Sequence, residues 1–205
     1  MNIDDYQKQA HSTAVHGGTL AYPIAALAEE AAEVCDVWRR YVDITDADRL
    51  RGTPPTVTDT MNKLHDELGD VMWNLAELVY LLYIPMSSVY DAISMSHPSK
   101  ELTSVPFLAL ASSVGKLNGI WAKYIRKHDG AQPSVAEVVA EQTEDLRKLR
   151  KSLERQCALV TCDVKVIAAK CGFEMDDILQ ANLDKLAARK KANTLGGAGS
   201  VERKS

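Results

Sequence analysis

Residues 64–85 read LHDELGDVMWNLAELVYLLYIP, and Leu64, Leu68, Val71, Leu75, Leu78 and Leu82 return by alternate steps of four and three until Pro85 closes the run. Side chains spaced in this way line one stripe of an α-helix, whereas a half-buried strand alternates by two. The run is also several times longer than a usual strand. A helix with so wide an apolar stripe has to be covered by other helices.

Such partners are present. Over residues 23–41, Leu27, Ala31, Val34, Trp38 and Tyr41 form a similar stripe behind Pro23, and further on Leu146, Leu149, Leu153, Cys157, Val160, Val164 and Ile167 form a third, closed by Gly172. A short helix is expected over residues 4–16, stopped by Gly17-Gly18. The polar stretch 43–59, with Gly52 and Pro54-Pro55, reads as a loop with Thr56, Thr58 or Asp59 as N-cap of the helix that follows. A helix through Val89, Ala92 and Ile93 should end before Pro98. A second loop is expected over 129–133, and a last helix through Leu183 and Leu186 to about Lys191.

Of 205 residues, 46% are hydrophobic and only 6% aromatic, and β-branched clusters are sparse, so composition also favours helices. The fold class expected is all-α. A net charge of -4 argues against a surface that coats a nucleic-acid polymer, although one triphosphate needs only a divalent ion and a few basic groups. Cys35, Cys157, Cys162 and Cys171 show no metal-binding spacing and fit a reducing compartment. No run approaches the ~18 apolar residues of a membrane span, so a cytoplasmic protein without membrane contact is expected.

The second half repeats the first. Pro106 and the Ala-Leu-Ala that follows it echo Pro23 and its Ala-Leu-Ala, and the same displacement sets Trp121 on Trp38, Tyr124 on Tyr41, Ile120 on Val37 and Ile125 on Val42. A slightly longer displacement sets Met175 and Ile178 on Met86 and Val89. The expected organisation is a first unit over 1–98, a second over 99–192, and a glycine-rich tail over 193–205.

Glu30 and Glu33 stand three residues apart, roughly 60° around one helix, and Glu67 and Asp70 repeat the device on the next long helix. Both pairs border the apolar stripes, so packing would bring four carboxylates together at the edge of the core. Their mutual repulsion is resolved by a divalent cation, and oxygen-only ligands select Mg²⁺, or Mn²⁺, over Zn²⁺. Such a site suits hydrolysis of a phosphate ester, with Glu33 or Glu30 as general base. The competing reading is that these acids are the solvated faces of amphipathic helices. A di-iron bundle would need Glu-x-x-His pairs, a role His65 does not fill. Glu141 and Glu144 lie at a helix start and read as structural. Trp38 and Trp121 lie on apolar stripes and read as core, whereas Trp73 and Asn74, next to Asp70, are candidates to contact a nucleobase.

The strings LAEEAAEV (27–34) and DELGDVMWNLAEL (66–78) resemble the E-x-x-E and E-x-x-D motifs of MazG-like pyrophosphohydrolases. The stretch YQKQAHSTA near the start and the ending NLDKLAARKKANTLGGAGS are similar to the same family. The resemblance implies Mg²⁺-dependent cleavage of a nucleoside triphosphate, a dNTP or a modified NTP, to the monophosphate and pyrophosphate, as pool control or house-cleaning. It makes Glu30, Glu33, Glu67 and Asp70 the metal ligands, and Asn182 and Lys185 substrate contacts. Lys185 and Arg189 share a helix face, where they can meet phosphates or simply the helix C-terminal dipole.

Three features depart from the family pattern: a long loop between the acidic pairs, Ser200 where Asp is frequent, and the second repeat. MazG-like units pair as dimers in which one copy completes the other's site. The tandem therefore resembles a dimer fused into one chain, two helical units packed as a pseudo-dimeric bundle, with further homo-oligomerisation left open. Ser112, Ser113 and Lys116 occupy the places of Glu29, Glu30 and Glu33, so one live metal site per chain is expected. A nucleotide-binding or scaffolding bundle without turnover is the alternative.

Overall fold

The computed structural model describes residues 1–51, 56–93, 102–192 and 194, with side-chain surroundings for all of these but 44–51 and 56. Eight helices and no strand occur among the described residues: α1 (Ile3–His11), α2 (Ala21–Arg51), α3 (Thr56–Leu81), α4 (Met86–Tyr90), α5 (Val105–Lys127), α6 (Val135–Ala140), α7 (Glu144–Cys171) and α8 (Met175–Lys191). The fold is all-α. None of the described helices is long and apolar enough to cross a membrane.

The stripes read from the sequence are the packing faces. Leu64, Leu68, Val71, Leu75 and Leu78 on α3 and Leu82 just after it are essentially inaccessible, as are Leu27 and Val34 on α2 and Leu153, Cys157, Val160, Val164 and Ile167 on α7. Each large aliphatic side chain taken out of water contributes about 1.5–3 kcal/mol before entropy is counted. α2 lies along α3 and α5 along α7, and the two pairs meet through α2 with α5 and α3 with α7, giving one continuous core. Trp38 and Trp121 belong to it, as expected. Trp38 stacks on Phe107 with ring centroids 4.4 Å apart, and its Nε1 donates to Ser104 Oγ at 3.0 Å.

Three boundaries differ from the sequence reading. α1 stops at His11 rather than His16, because Ser12 Oγ and Thr13 Oγ1 donate back to the Gln9 and Ala10 carbonyls and end the helix locally. Gly17 and Gly18, both with positive φ, then turn the chain into α2. α2 continues through the polar stretch to Arg51, its outer face laced by Asp36–Arg39, Asp36–Arg40 and Arg39–Asp43 pairs at helical spacing. The short α6 divides the second loop from α7; its capping box pairs Ser134 with Glu137, a local signal that apolar periodicity does not register. α4 ends at Tyr90, before Ala92 and Ile93. Gly52, Pro54-Pro55, Pro98 and the glycine-rich tail with Ser200 lie outside the described residues.

α1 and α8 form a second layer over α3. Gln7 fixes α1 to the turn after α3, donating to the Ile84 carbonyl at 2.9 Å and accepting from the Met86 amide at 3.1 Å. Asp4 accepts from both the amide and the hydroxyl of Ser87, which ties α1 to the start of α4.

Candidate functional site

The shoulder of α2 that carries Glu30 and Glu33 faces the shoulder of α3 that carries Glu67. One carboxylate oxygen from each of the three lies within 4.8 Å of the others, so the two helices bring together acids distant in sequence. Glu67 is buried and ion-paired with Lys63 one turn earlier. Asp70, one turn beyond Glu67, points instead to α8. Lys185 Nζ is 2.6 Å from each of its oxygens, and Asn182 Nδ2 donates to Oδ1 at 2.9 Å. Asn182 is itself buried and accepts from the Tyr6 hydroxyl at 3.2 Å. Three of the four expected ligands thus converge, and the fourth adjoins them in a salt bridge to the helix expected to contact substrate.

This close seating of α8 depends on Gly69. A β-carbon there would lie 3.1 Å from Asn182 Cβ and 3.3 Å from its Nδ2, tighter than ordinary contacts. Burial next to Asp70, Glu33 and Glu67 pushes the Glu30 carboxyl up to about 8. Burial also raises Asp70, opposed by Lys185, and raises Glu67, opposed by Lys63.

A cavity of about 180 Å³ opens beside these acids, lined among others by Glu30, Asp70, Arg189, Trp73, Asn74, His16 and Tyr22. That volume is below the roughly 300 Å³ of a site enclosing a whole drug-sized ligand, and suits a single ring system. Trp73 and Asn74 are therefore placed with the acids. Trp73 Nε1 already donates to the Ala10 carbonyl at 3.1 Å and Thr13 Oγ1 at 3.0 Å, so the tryptophan offers ring surface and no free donor. Asn74 is buried, and its Nδ2 donates to the Asp70 carbonyl at 3.2 Å.

The sequence reading passed over the groups behind this cavity. Glu77 on α3 is fully buried; His11 Nδ1 lies 2.9 Å from its Oε2 and His16 Nε2 lies 3.1 Å from its Oε1. The His16 contact is close enough for charge pairing but out of line for a hydrogen bond, and His16 Nδ1 has no partner. His16 stacks on Tyr22 at 4.5 Å, and His11 on Tyr80 at 3.7 Å. The available signal was Glu77 itself, a carboxylate set between Ala76 and Leu78 in an otherwise apolar run.

The second half carries a different chemistry at the related positions. Asp163 on α7 is raised by burial, against a hydrogen bond from Ser113 and the charge of Lys116, the residues in the places of Glu30 and Glu33. Among the described residues Glu30, Glu33 and Glu67 form the one group of three or more candidate metal ligands. Glu141 caps α6 and pairs with Arg150 at 3.0 Å, while Glu144 pairs with Arg147 at 2.6 Å, so both are structural, as expected.

Comparison of the chain with protein-family models, curated proteins and solved structures returns no match.

Proposed function

We propose that the protein is a Mg²⁺-dependent nucleoside triphosphate pyrophosphohydrolase of the MazG-like class, releasing pyrophosphate and a monophosphate from a dNTP or a modified NTP. The observation that carries this reading is the meeting of Glu30, Glu33 and Glu67, with Glu30 and the adjoining Asp70 also lining a ring-sized cavity that Arg189 shares. An all-oxygen, acid-rich donor set fits a hard divalent ion, Mg²⁺ or Mn²⁺, and the Glu30 carboxyl is raised by burial first and then by the charges of Asp70, Glu33 and Glu67. Glu30, Glu33, Glu67 and Asp70 are the residues that would hold the ion, which when bound polarises phosphoryl oxygens and activates water.

The chain's own groups divide the remaining work. Glu33 or Glu30, ionised when the ion is held, would accept the proton of an attacking water. Arg189 supplies a planar, permanently charged fork for phosphate oxygens, and Lys185 adds charge from the same face of α8. Trp73 and Asn74 face the base. Asn182 positions Asp70 and keeps α8 seated on α3.

The fused-dimer arrangement, with units over 1–98 and 99–192, is supported by reciprocal packing: α8 lies against α3 just as its counterpart α4 lies against α7. One active site per chain follows, built from acids of the first unit and α8 of the second. All four cysteines are free thiols, in keeping with the reducing cytoplasm assumed in this reading.

A silent nucleotide-binding or scaffolding bundle is favoured by one feature, the neutralisation of Asp70 by Lys185 within the chain. A pyrophosphate-release assay across canonical and modified NTPs and dNTPs with Mg²⁺ separates the two. The enzyme reading expects release that Glu33→Gln and Asp70→Asn each reduce at least about a hundredfold. Absence of release would leave the silent bundle, and release indifferent to both substitutions would overturn the assignment of this site.

A further inference from the structure

Two residues that line the cavity beside the carboxylates carry buried polar atoms without a hydrogen-bond partner, Asn74 at Oδ1 and His16 at both ring nitrogens, of which Nε2 lies against Glu77 and Nδ1 has no polar group assigned to it. Buried polar atoms are nearly always paired, so two orphans in one cavity mark where a ligand brings the partners. Their hydrogen-bonding sense is fixed by what lies behind them. Asn74 Nδ2 donates to the Asp70 carbonyl, which can only accept; the amide cannot be reversed, and Oδ1 faces the cavity as an acceptor.

At the other residue, Glu77 Oε1 lies 3.1 Å from His16 Nε2. A bare nitrogen lone pair would be repelled there, so the carboxylate favours a hydrogen on Nε2, and in that tautomer Nδ1 is a second acceptor. The other oxygen of Glu77 is held by His11 Nδ1 at 2.9 Å, and the His16 ring is braced by Tyr22 at 4.5 Å and the edge of Trp73 at 6.4 Å. Glu77 therefore sets both the position and the tautomer of His16 without reaching the cavity itself.

Two acceptors ask for a ligand rich in donors. We propose that this cavity reads the nucleobase through an exocyclic amino group, selecting cytosine and adenine over their oxo counterparts uracil and hypoxanthine, with Glu77 as the positioning residue. The inference rests on the nucleotide reading above and gives it a substrate class. An oxo group in place of the amine sets lone pair against lone pair, and sites built around hydrogen bonds reject such analogues strongly.

The test uses the full chain and nucleoside monophosphates, which bind without turnover: calorimetric titration with dCMP, dUMP, dAMP and dIMP. The amino members should bind at least about tenfold more tightly than their oxo partners, the scale of one good hydrogen bond. Asn74→Asp keeps an acceptor in the cavity, whereas Asn74→Leu and His16→Phe remove one; the last two should bring the ratio below about threefold by weakening the amino ligands alone. Glu77→Gln is isosteric, and its amide can donate to His16 Nε2 and move the ring hydrogen to Nδ1. It should lower or invert the ratio while the circular dichroism melt stays intact, which a merely structural role would not produce. Equal affinities, a preference for the oxo bases, no binding of any of the four, or a ratio unmoved by all these variants overturns the inference. Cleavage without discrimination refutes the base reading and spares the hydrolase; discrimination without cleavage does the reverse.

Discussion

Lys185 Nζ stands 2.6 Å from both carboxylate oxygens of Asp70, so a charge on the last helix neutralises an acid on α3 that was expected to serve a metal. The pair is partly buried, where charge-assisted hydrogen bonds are worth more than at an open surface. If Lys185 serves substrate phosphates, Lys185→Ala should raise KM by roughly ten- to a hundredfold, the range of one such bond, with kcat changed much less. Mg²⁺ affinity should hold or improve, because a competing cation is gone. Steady-state kinetics with a parallel metal titration checks both, and weaker metal binding would assign the lysine a different role.

Glu30 makes metal binding depend on pH. Its carboxyl is held at about 8 in the fold against an ordinary 4.5, so an ion arriving near neutrality has to displace a proton. Mg²⁺ affinity should rise between pH 6 and 8, by up to about tenfold per unit, and level off above. Without the ion the sign reverses. A carboxyl whose folded value lies above its unfolded one favours the fold fully below about 4.5, and that contribution is lost as the pH climbs through about 8. Thermal melts should therefore show a Mg²⁺-induced rise in Tm that is larger at pH 8.5 than at pH 6. A rise independent of pH would remove Glu30 from the ligand set.

Gly69 separates helix propensity from site geometry. Gly69→Ala places a methyl 3.1 Å from Asn182 Cβ, and Asn182 is held at both ends by Tyr6 and Asp70. Overpacking of about 1–3 kcal/mol outweighs the ~1 kcal/mol that alanine gains in a helix, so a net loss of about 1 kcal/mol is expected, together with reduced activity. Gly115→Ala on α5 meets nothing within 4 Å and should instead stabilise by about 0.5–1 kcal/mol. Urea denaturation of both variants measures the contrast.

Asymmetry between the halves has its own consequence. Ser113 and Lys116, which the sequence repeat sets in the places of Glu30 and Glu33, lie with Asp163, and no triad of ligands forms there among the described residues. Lys116→Ala and Asp163→Asn should each change kcat/KM by less than about twofold. A larger loss in either would give the second unit a catalytic part.

The long helices were legible because burial of a wide stripe imposes its period on the sequence; Leu64 through Leu82 needed no tertiary information. The acidic pairs were legible for a related reason, since their position beside Val34 and Val71 fixes which way they face once those residues are buried. The extension of α2 past Asp43 was not, because the stretch to Arg51 is polar and carries no apolar stripe in the sequence. Nor was the environment of Glu77. Only the folded chain brings His11 and His16, on either side of the break after α1, against a helix far along the sequence. Asp70 was nominated as a ligand from spacing and from the family motif, and neither could show that Lys185 would reach it first.

The central claim, that the first unit's carboxylates support metal-dependent cleavage between the α and β phosphates, is tested most directly by following ³¹P spectra of dCTP or dATP incubated with the protein and Mg²⁺. The account predicts monophosphate and pyrophosphate appearing in equal amounts, abolished by a chelator and by Glu33→Gln. A triphosphate that persists unchanged, or is converted to the diphosphate and orthophosphate, would contradict it.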